Sequence, residues 1–286
     1  MDTKNKFEIN SGGGLGQNIV EPVRPPVQQK HAPEKPKFIP KPMPYDSVIA
    51  RVEEKQTLVL VFLADEIWST VKILSHVLQL STRQTQKTLS DMFKFNYLKV
   101  EVLTNNTRLY GISPTGLAKI NSDSGRSFQI GKTPLSTVTH HLYCQKIRIM
   151  LEAHCTKEWT SGKNLYKKGL FVNVPDGAFL WKGGEIIGVI EAELNIKSEK
   201  RMKDVFNFQA EDLGPNGNDR LDRILYFTPY PNQIRKLIEK LVDPELRRYY
   251  LVIKLSTAIH AFDPNQPIVL NDEIIHFLDY GNELGR

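Results

Sequence analysis

Apolar residues recur at helical spacing over residues 46–68, where Val48, Ile49 and Val52 are followed by Leu58, Leu60, Val61, Leu63 and Ile67. That period predicts a long helix. A shorter helical pattern follows in VKILSHVLQLS, with Val71, Leu74, Val77 and Leu78 apolar. Thr82 is placed to cap a third helix, TRQTQKTLSDMFKF, because an N-cap hydroxyl accepts from an otherwise unpaired amide. Its core positions are Leu89, Met92 and Phe93, and its other face shows Arg83, Gln84, Gln86 and Lys87. The period then changes to alternation. YLKVEVL and TRLYGIS flank Asn105-Asn106, a hairpin signal. Ser113-Pro114 starts another helix, with serine as N-cap and proline at the first helical position.

Residues 121–136, NSDSGRSFQIGKTPLS, are polar and mark a domain boundary. From Thr137 a helix is predicted through HHLYCQKIRIMLEAHC, with Leu142, Ile147, Met150 and Leu151 on its buried stripe. His140, His141, Gln145, Arg148 and Glu152 lie elsewhere on it. After Glu158-Trp159 comes GKNLYKKG, read as a basic loop. Residues 175–198, PDGAFLWKGGEIIGVIEAELNIKS, read as two strands joined by the Gly183-Gly184 turn. A helix capped by Ser198, a polar loop over EDLGPNGNDRLDR, a short buried strand RILYFTPY and a helix PNQIRKLIEKL complete the pattern. Strand, helix, strand in that order implies a crossover connection and a mixed sheet. The last stretch, from PELRRYYLVIKL onward, fits helix or strand.

Composition adds three constraints. Residues 1–44 contain Gly12, Gly13, Gly14, Gly16 and eight of the 17 prolines, too little apolar surface to offset the entropy of ordering them. We expect a disordered, partly polyproline-like tail, serving as a leader or as a docking arm. The net charge of +6 and pI of about 9.1 favour a polyanionic partner such as nucleic acid. Cys144 and Cys155 do not make a zinc pattern and read as buried free thiols outside an oxidising compartment. The N-terminus has no apolar h-region, and the longest apolar runs, LVLVFLA and IIGVI, are too short to span a bilayer. The expectation is a soluble, cytoplasmic protein with no membrane insertion.

Helix, helix, helix, hairpin, helix over residues 45–121 is the order of a winged helix-turn-helix. Arg83, Gln84, Gln86 and Lys87 then occupy the first turns of its recognition helix, within reach of base edges or phosphates. Lys99 and Arg108 are wing candidates for phosphate contact. A winged helix can also serve protein contacts, but the polar donors at the helix start and the basic net charge favour DNA.

The remaining chemistry lies in residues 175–198. Side chains two apart on a strand share a face, so Glu191, Glu193, Asn195 and Lys197 line one side and Ile190, Ala192, Leu194 and Ile196 the other. With Asp176 on the pairing strand, this gathers three carboxylates and a lysine, the requirement of a magnesium-dependent phosphodiester enzyme. Asp176, Glu191 and Glu193 are the candidate ligands, and Lys197 would stabilise developing charge or orient the attacking water. The bland alternative is an amphipathic strand with a solvated polar face.

A Pro-Asp, a hairpin and then Glu-x-Glu with a nearby lysine resembles the PD-(D/E)xK nuclease superfamily. The lysine is usually two residues after the acid; here Glu193 follows Glu191 and Asn195 follows Glu193 at that distance, and Lys197 stands further on. More narrowly, HHLYCQKIRIMLE, KEW, VNVPDGAFL, VIEAELNIKSEKR and RILYFTPYP resemble the plasmid replication-relaxation family and its MobC-type mobilisation relaxases, over about residues 45–240. The resemblance implies an α/β chain: a winged helix over residues 45–121, then a restriction-endonuclease-like mixed-sheet domain over 137–286. It implies a relaxase that binds the transfer origin of a plasmid and nicks one DNA strand with Mg2+ or Mn2+. A helper mobilisation protein and a type IV coupling protein would be its partners. Lys132, Lys163, Lys167, Lys168, Lys200 and Arg201 would hold phosphates, and Glu152 matches an acid placed on the first helix of many such folds. Tyr226 and Tyr230 are the nearest tyrosines for a covalent mechanism, with packing as their alternative role. The chain has no HxH motif, unlike the three-histidine relaxases. Two rivals remain: a non-catalytic plasmid DNA-binding protein, such as a replication initiator or regulator, and a hydrolytic nuclease without strand specificity.

Overall fold

A computed structural model describes residues 44–104, 106–122, 126–132, 135–153, 156–169, 171–181, 186–213, 221–255 and 274. All of them belong to one compact unit. The expectations for residues 1–43, Asn105, Cys155, the Gly183-Gly184 turn and most of the stretch after Leu255 lie outside the described residues.

The chain is mixed α/β with two sheets. Helix α1 (Tyr45–Glu66) leads into a two-residue strand β1 (Trp68–Ser69), then α2 (Val71–Leu78) and α3 (Thr82–Lys94). Strands β2 (Leu98–Val102) and β3 (Arg108–Ile112) follow and pair antiparallel, with β1 on the other edge of β3. Helix α4 (Pro114–Lys119) begins, as its sequence requires, with Ser113 Oγ accepting from the Gly116 amide at 3.0 Å.

The helical period over α1 is correct, but the buried face is not the one the apolar residues mark. Val59, Leu60, Phe62 and Leu63 are buried, while Tyr45, Val48, Ile49, Val52, Leu58 and Val61 are exposed. Residues 44–54 are all exposed, so the helix enters the core only from its third turn onward. There Leu60 and Leu63 meet Ile73 and Leu74 of α2 and Leu89 and Met92 of α3. The cap of α3 is Ser81 rather than Thr82. Its hydroxyl accepts from the Gln84 amide, and the Gln84 side chain returns to the Ser81 amide, the reciprocal arrangement of a capping box.

Within the polar stretch, residues 126–132 are pinned to the body rather than running free. The Phe128 amide donates to the Ile112 carbonyl at 2.8 Å, and its ring is 1% exposed. The ring lies over Gly111, where a Cβ would come within 2.1 Å of it. Glycine at 111 is what lets an aromatic ring lie flat on β3.

Helix α5 (Leu135–Glu152) is shared between cores. Ile149 joins the cluster around Leu60, while Cys144, Ile147, Met150 and Leu151 join the cluster beneath the second sheet. Buried Gln145 accepts from Ser69 Oγ at 2.6 Å and donates to the Trp68 carbonyl at 2.7 Å. Arg148 closes the same junction, with its guanidinium 2.7 Å from Glu66, 2.9 Å from Glu152 and 3.4 Å from Asp65.

The second sheet has order β4-β5-β6-β7-β8, from β4 (Thr156–Ser161), β5 (Gly177–Trp181), β6 (Ile186–Ala192), β7 (Arg223–Thr228) and β8 (Tyr250–Lys254). The β4–β5 and β5–β6 pairs are antiparallel, and β6–β7 and β7–β8 are parallel, as the crossover through α7 (Glu199–Asp212) and then α8 (Pro231–Leu241) demands. The predicted mixed sheet is present, and the undecided stretch after Pro244 includes a strand. GKNLYKK is a helix, α6 (Gly162–Lys168), not a loop: Leu165 is buried, two lysines lie in its last turn where the macrodipole favours cations, and Gly169 ends it at φ 63°. Helix α5 covers one face of this sheet, and α7 and α8 cover the other.

Candidate functional site

The acids meet where β5 begins and β6 ends. Gly177 pairs with Ile190, and the Asp176 amide donates to the Ile190 carbonyl at 3.1 Å, which sets Asp176 beside Glu191 on the neighbouring strand. Asp176 Oδ2 accepts from the Ala192 amide at 2.8 Å. That bond holds the carboxylate against the end of β6. Ile190 and Ala192 face α5, so by alternation Glu191 faces α7. There it is 8% exposed, and Gln209 of α7 donates from Nε2 to Glu191 Oε1 at 3.2 Å. Gln209 also accepts from the Tyr226 hydroxyl at 3.1 Å. Burial, and next the Asp176 charge, push the Glu191 carboxyl up to about 8; Lys197 opposes and Glu193 adds.

Glu193 and Lys197 are placed differently from the strand-face expectation. Strand β6 ends at Ala192, so Glu193, Asn195 and Lys197 do not share a pleat. The Glu193 amide still donates to the Phe227 carbonyl at 2.9 Å, which keeps its carboxylate at the site. Lys197 reaches back along irregular chain to ion-pair with Glu193. Both raise or lower the Glu191 carboxyl as near charges do. The lysine therefore belongs to the cluster through Glu193, not through a strand position of its own.

On its other side Asp176 opens onto a cavity of about 970 Å3, which Glu191 and Glu193 do not line. His140 and Cys144 of α5 border it. His140 Nε2 lies 3.2 Å from Asp176 Oδ2, and Cys144 Sγ lies 3.7 Å from His140 Nδ1. The hydrogen bond to Asp176 raises the His140 pKa against the opposing effect of burial. Burial, and then the surrounding carboxylates, raise the Cys144 thiol well above its ordinary value. Lys163 and Lys132 also line this cavity; burial and then the charges of Lys167 and Arg126 lower the Lys163 pKa.

Arg83, Gln86 and Lys87 are exposed along the start of α3, and Arg108 is exposed at the start of β3. Gln84 is exposed too, but its side chain is committed to the cap. Lys99 donates to the Phe128 carbonyl at 3.3 Å, so it anchors the 126–132 segment instead of standing free on a wing. Lys200 and Arg201 are exposed in the first turn of α7, some way along the chain from the acids they follow. Lys168 is exposed at the end of α6, and Glu152 is held by Arg148. Tyr226 is 1% exposed with its phenol pKa raised well above normal by burial, so packing and Gln209 are its roles; Tyr230 is 43% exposed.

Residue-by-residue reading missed Gln209, and it missed His140 and Cys144 as partners of Asp176. The first had a signal: Met202, Val205, Phe206 and Gln209 form one buried stripe of α7, and a lone amide in such a stripe needs a polar partner. Comparison with protein-family models, curated proteins and solved structures found no match to this chain. Among the described residues no helix is long and apolar enough to cross a membrane.

Proposed function

We propose that this protein is a metal-dependent DNA strand-nicking endonuclease of the MobC-type relaxase kind. The observation that carries the reading is the meeting of Asp176 and Glu191 at adjoining strand ends, with Glu193 and Lys197 beside them. The donor set fits Mg2+ or Mn2+, which prefer carboxylate oxygens and leave positions for substrate phosphate. Such an ion, when bound, supplies charge stabilisation at the phosphoryl oxygens. Asp176 and Glu191 are the ligands, each oriented by a hydrogen bond, from the Ala192 amide and the Gln209 side chain. Glu193 orients water or completes the ligand set, and Lys197 keeps a positive charge beside it.

In this reading residues 45–121 are a winged helix and residues 137–286 a restriction-endonuclease-like domain. Arg83, Gln86 and Lys87 meet the origin duplex, Arg108 meets phosphate, and Lys163, Lys200 and Arg201 steady the strand. The protein works in the cytoplasm on plasmid DNA, with a helper mobilisation protein and a type IV coupling protein. The test is incubation of supercoiled origin plasmid with purified protein, helper and Mg2+. Open circles are expected, and Glu191→Gln removes them. Retention of full nicking by that variant overturns the reading.

The Glu193–Lys197 ion pair favours one rival, because it occupies the lysine that a cleaving enzyme needs. A non-catalytic plasmid DNA-binding protein would bind the origin and leave it uncut at every Mg2+ concentration. A hydrolytic nuclease would degrade linear DNA lacking an origin.

A further inference from the structure

We propose that His140, Cys144 and Asp176 form a binding site for a transition-metal ion of the zinc class, with its remaining coordination position facing the cavity. The site is separate from the proposed magnesium seat and shares only Asp176 with it.

His140 and Cys144 stand four residues apart on α5, so their side chains lie on one face a turn apart. Asp176, at the head of β5, meets them across the interface between α5 and the sheet. One ligand atom from each of the three lies within 4.8 Å of the others. Zinc bonds of about 2.0–2.3 Å to nitrogen, oxygen and sulfur set tetrahedral ligand atoms roughly 3.3–3.6 Å apart. His140 Nε2 and Asp176 Oδ2, at 3.2 Å, are already there. Cys144 Sγ, which touches Nδ1 on the far side of the same ring at 3.7 Å, lies within the 4.8 Å span of the three ligand atoms, and a rotation of its side chain by roughly 1 Å brings it to tetrahedral spacing.

The donor chemistry selects the ion. A thiolate and an imidazole are poor ligands for magnesium and good ones for zinc, cobalt or nickel. Three protein ligands with a fourth position left over is the pattern of a zinc site that holds water or substrate. Two supporting features are built around it. Asp176 is oriented by the Ala192 amide at 2.8 Å. Ser161 lines the same cavity, is 9% exposed, and its Oγ has no hydrogen-bond partner among the described residues, as befits a group that would hold the fourth ligand. Binding displaces the Cys144 thiol proton to solvent and leaves sulfur as thiolate.

The probe is Co2+, added to the full-length chain after chelator stripping and followed by absorption spectroscopy. One equivalent is expected to bind, with a sulfur-to-cobalt charge-transfer band and the visible bands of four-coordinate cobalt, both erased by one equivalent of Zn2+. Cys144→Ala removes the charge-transfer band, and His140→Ala weakens binding by about tenfold or more. Glu191→Gln leaves the spectrum unchanged. A wild-type chain that gives no charge-transfer band overturns the proposal whatever the variants do. So does a band that survives in folded Cys144→Ala, checked by circular dichroism. The spectrum needs no DNA, so failure of the nicking assay leaves it intact, and loss of the band leaves nicking with Mg2+ standing.

Discussion

Gln209 on α7 bonds Glu191 on β6 at 3.2 Å, and through its other end it holds the Tyr226 hydroxyl at 3.1 Å. The amide is the sole link described between the acid and the helix that covers it. Gln209→Leu fills similar volume but leaves a carboxyl and a phenol without that partner. The expected cost is about 1–3 kcal/mol, read from urea unfolding. Nicking should fall more than stability does, because Glu191 loses the group that orients it; equal activity at saturating Mg2+ would show that Gln209 only packs.

The Glu191 carboxyl gives stability a pH dependence with a definite sign. Its folded value of about 8 lies above the ordinary 4.5. Between these values the unfolded chain releases a proton that the folded chain keeps, so stability is full below about 4.5 and is lost as pH rises through about 8. His140, also raised, acts in the same direction above its ordinary 6.5. Melting in chelator-containing buffer should therefore fall from about pH 5 to about pH 8. Glu191→Gln should flatten most of that slope, and saturating Mg2+ should stabilise more at the alkaline end.

Arg148 is 8% exposed and meets Asp65, Glu66 and Glu152. Of these, Glu66 is the buried one, with a side chain 4% exposed and the His141 ring 3.5 Å away. Arg148→Ala should cost about 3–5 kcal/mol, since removing one side of a buried pair leaves the other uncompensated. Arg148→Met combined with Glu66→Gln should recover much of that loss in the same unfolding measurement.

Regular elements with their own caps were legible in the sequence. Ser113-Pro114, Ser198 and the alternation of YLKVEVL and TRLYGIS each specify a local structure that packing did not override. The exposed stripe of Val48, Ile49 and Val52 was not legible as exposed, because periodicity reports a face and not what lies opposite it. Strand length failed similarly: nothing in EAELNIK says that pairing stops at Ala192, and Lys197 moved with that boundary. Of the candidate site, Asp176 and Glu191 could be paired from one hairpin. His140 and Cys144 could not, because only the docking of α5 on the sheet brings a helix turn to the head of β5. Phe128 sits in a polar stretch, and its partner is the missing side chain of Gly111.

That last contact predicts a steric effect. A Cβ on residue 111 would lie 2.1 Å from the Phe128 ring, and the ring is buried with Leu109, Trp68 and Val138. Gly111→Ala should destabilise by about 1–3 kcal/mol, and Gly111→Ala with Phe128→Gly should be less than additive, because the glycine at 128 removes the Cβ and ring atoms that the new Cβ would strike. Urea unfolding of the two singles and the double measures the coupling.

The start of α3 separates binding from stability residue by residue. Arg83, Gln86 and Lys87 are exposed there, while Gln84 completes the capping box with Ser81. Gln84→Ala should lower stability by about 0.5–1 kcal/mol through loss of the returning hydrogen bond. Arg83→Ala and Lys87→Ala should leave melting unchanged and weaken binding to origin DNA. If Lys87 meets a phosphate, its loss weakens every DNA sequence alike and lowers the slope of log affinity against log salt by about 1. If Arg83 meets a base edge, its loss costs about 1–3 kcal/mol on the origin and little on unrelated DNA. Fluorescence anisotropy over a salt series, on origin and scrambled duplexes, distinguishes the two contacts. An unchanged affinity for both duplexes in the double variant would remove α3 from the DNA interface and leave the acid cluster to be tested without it.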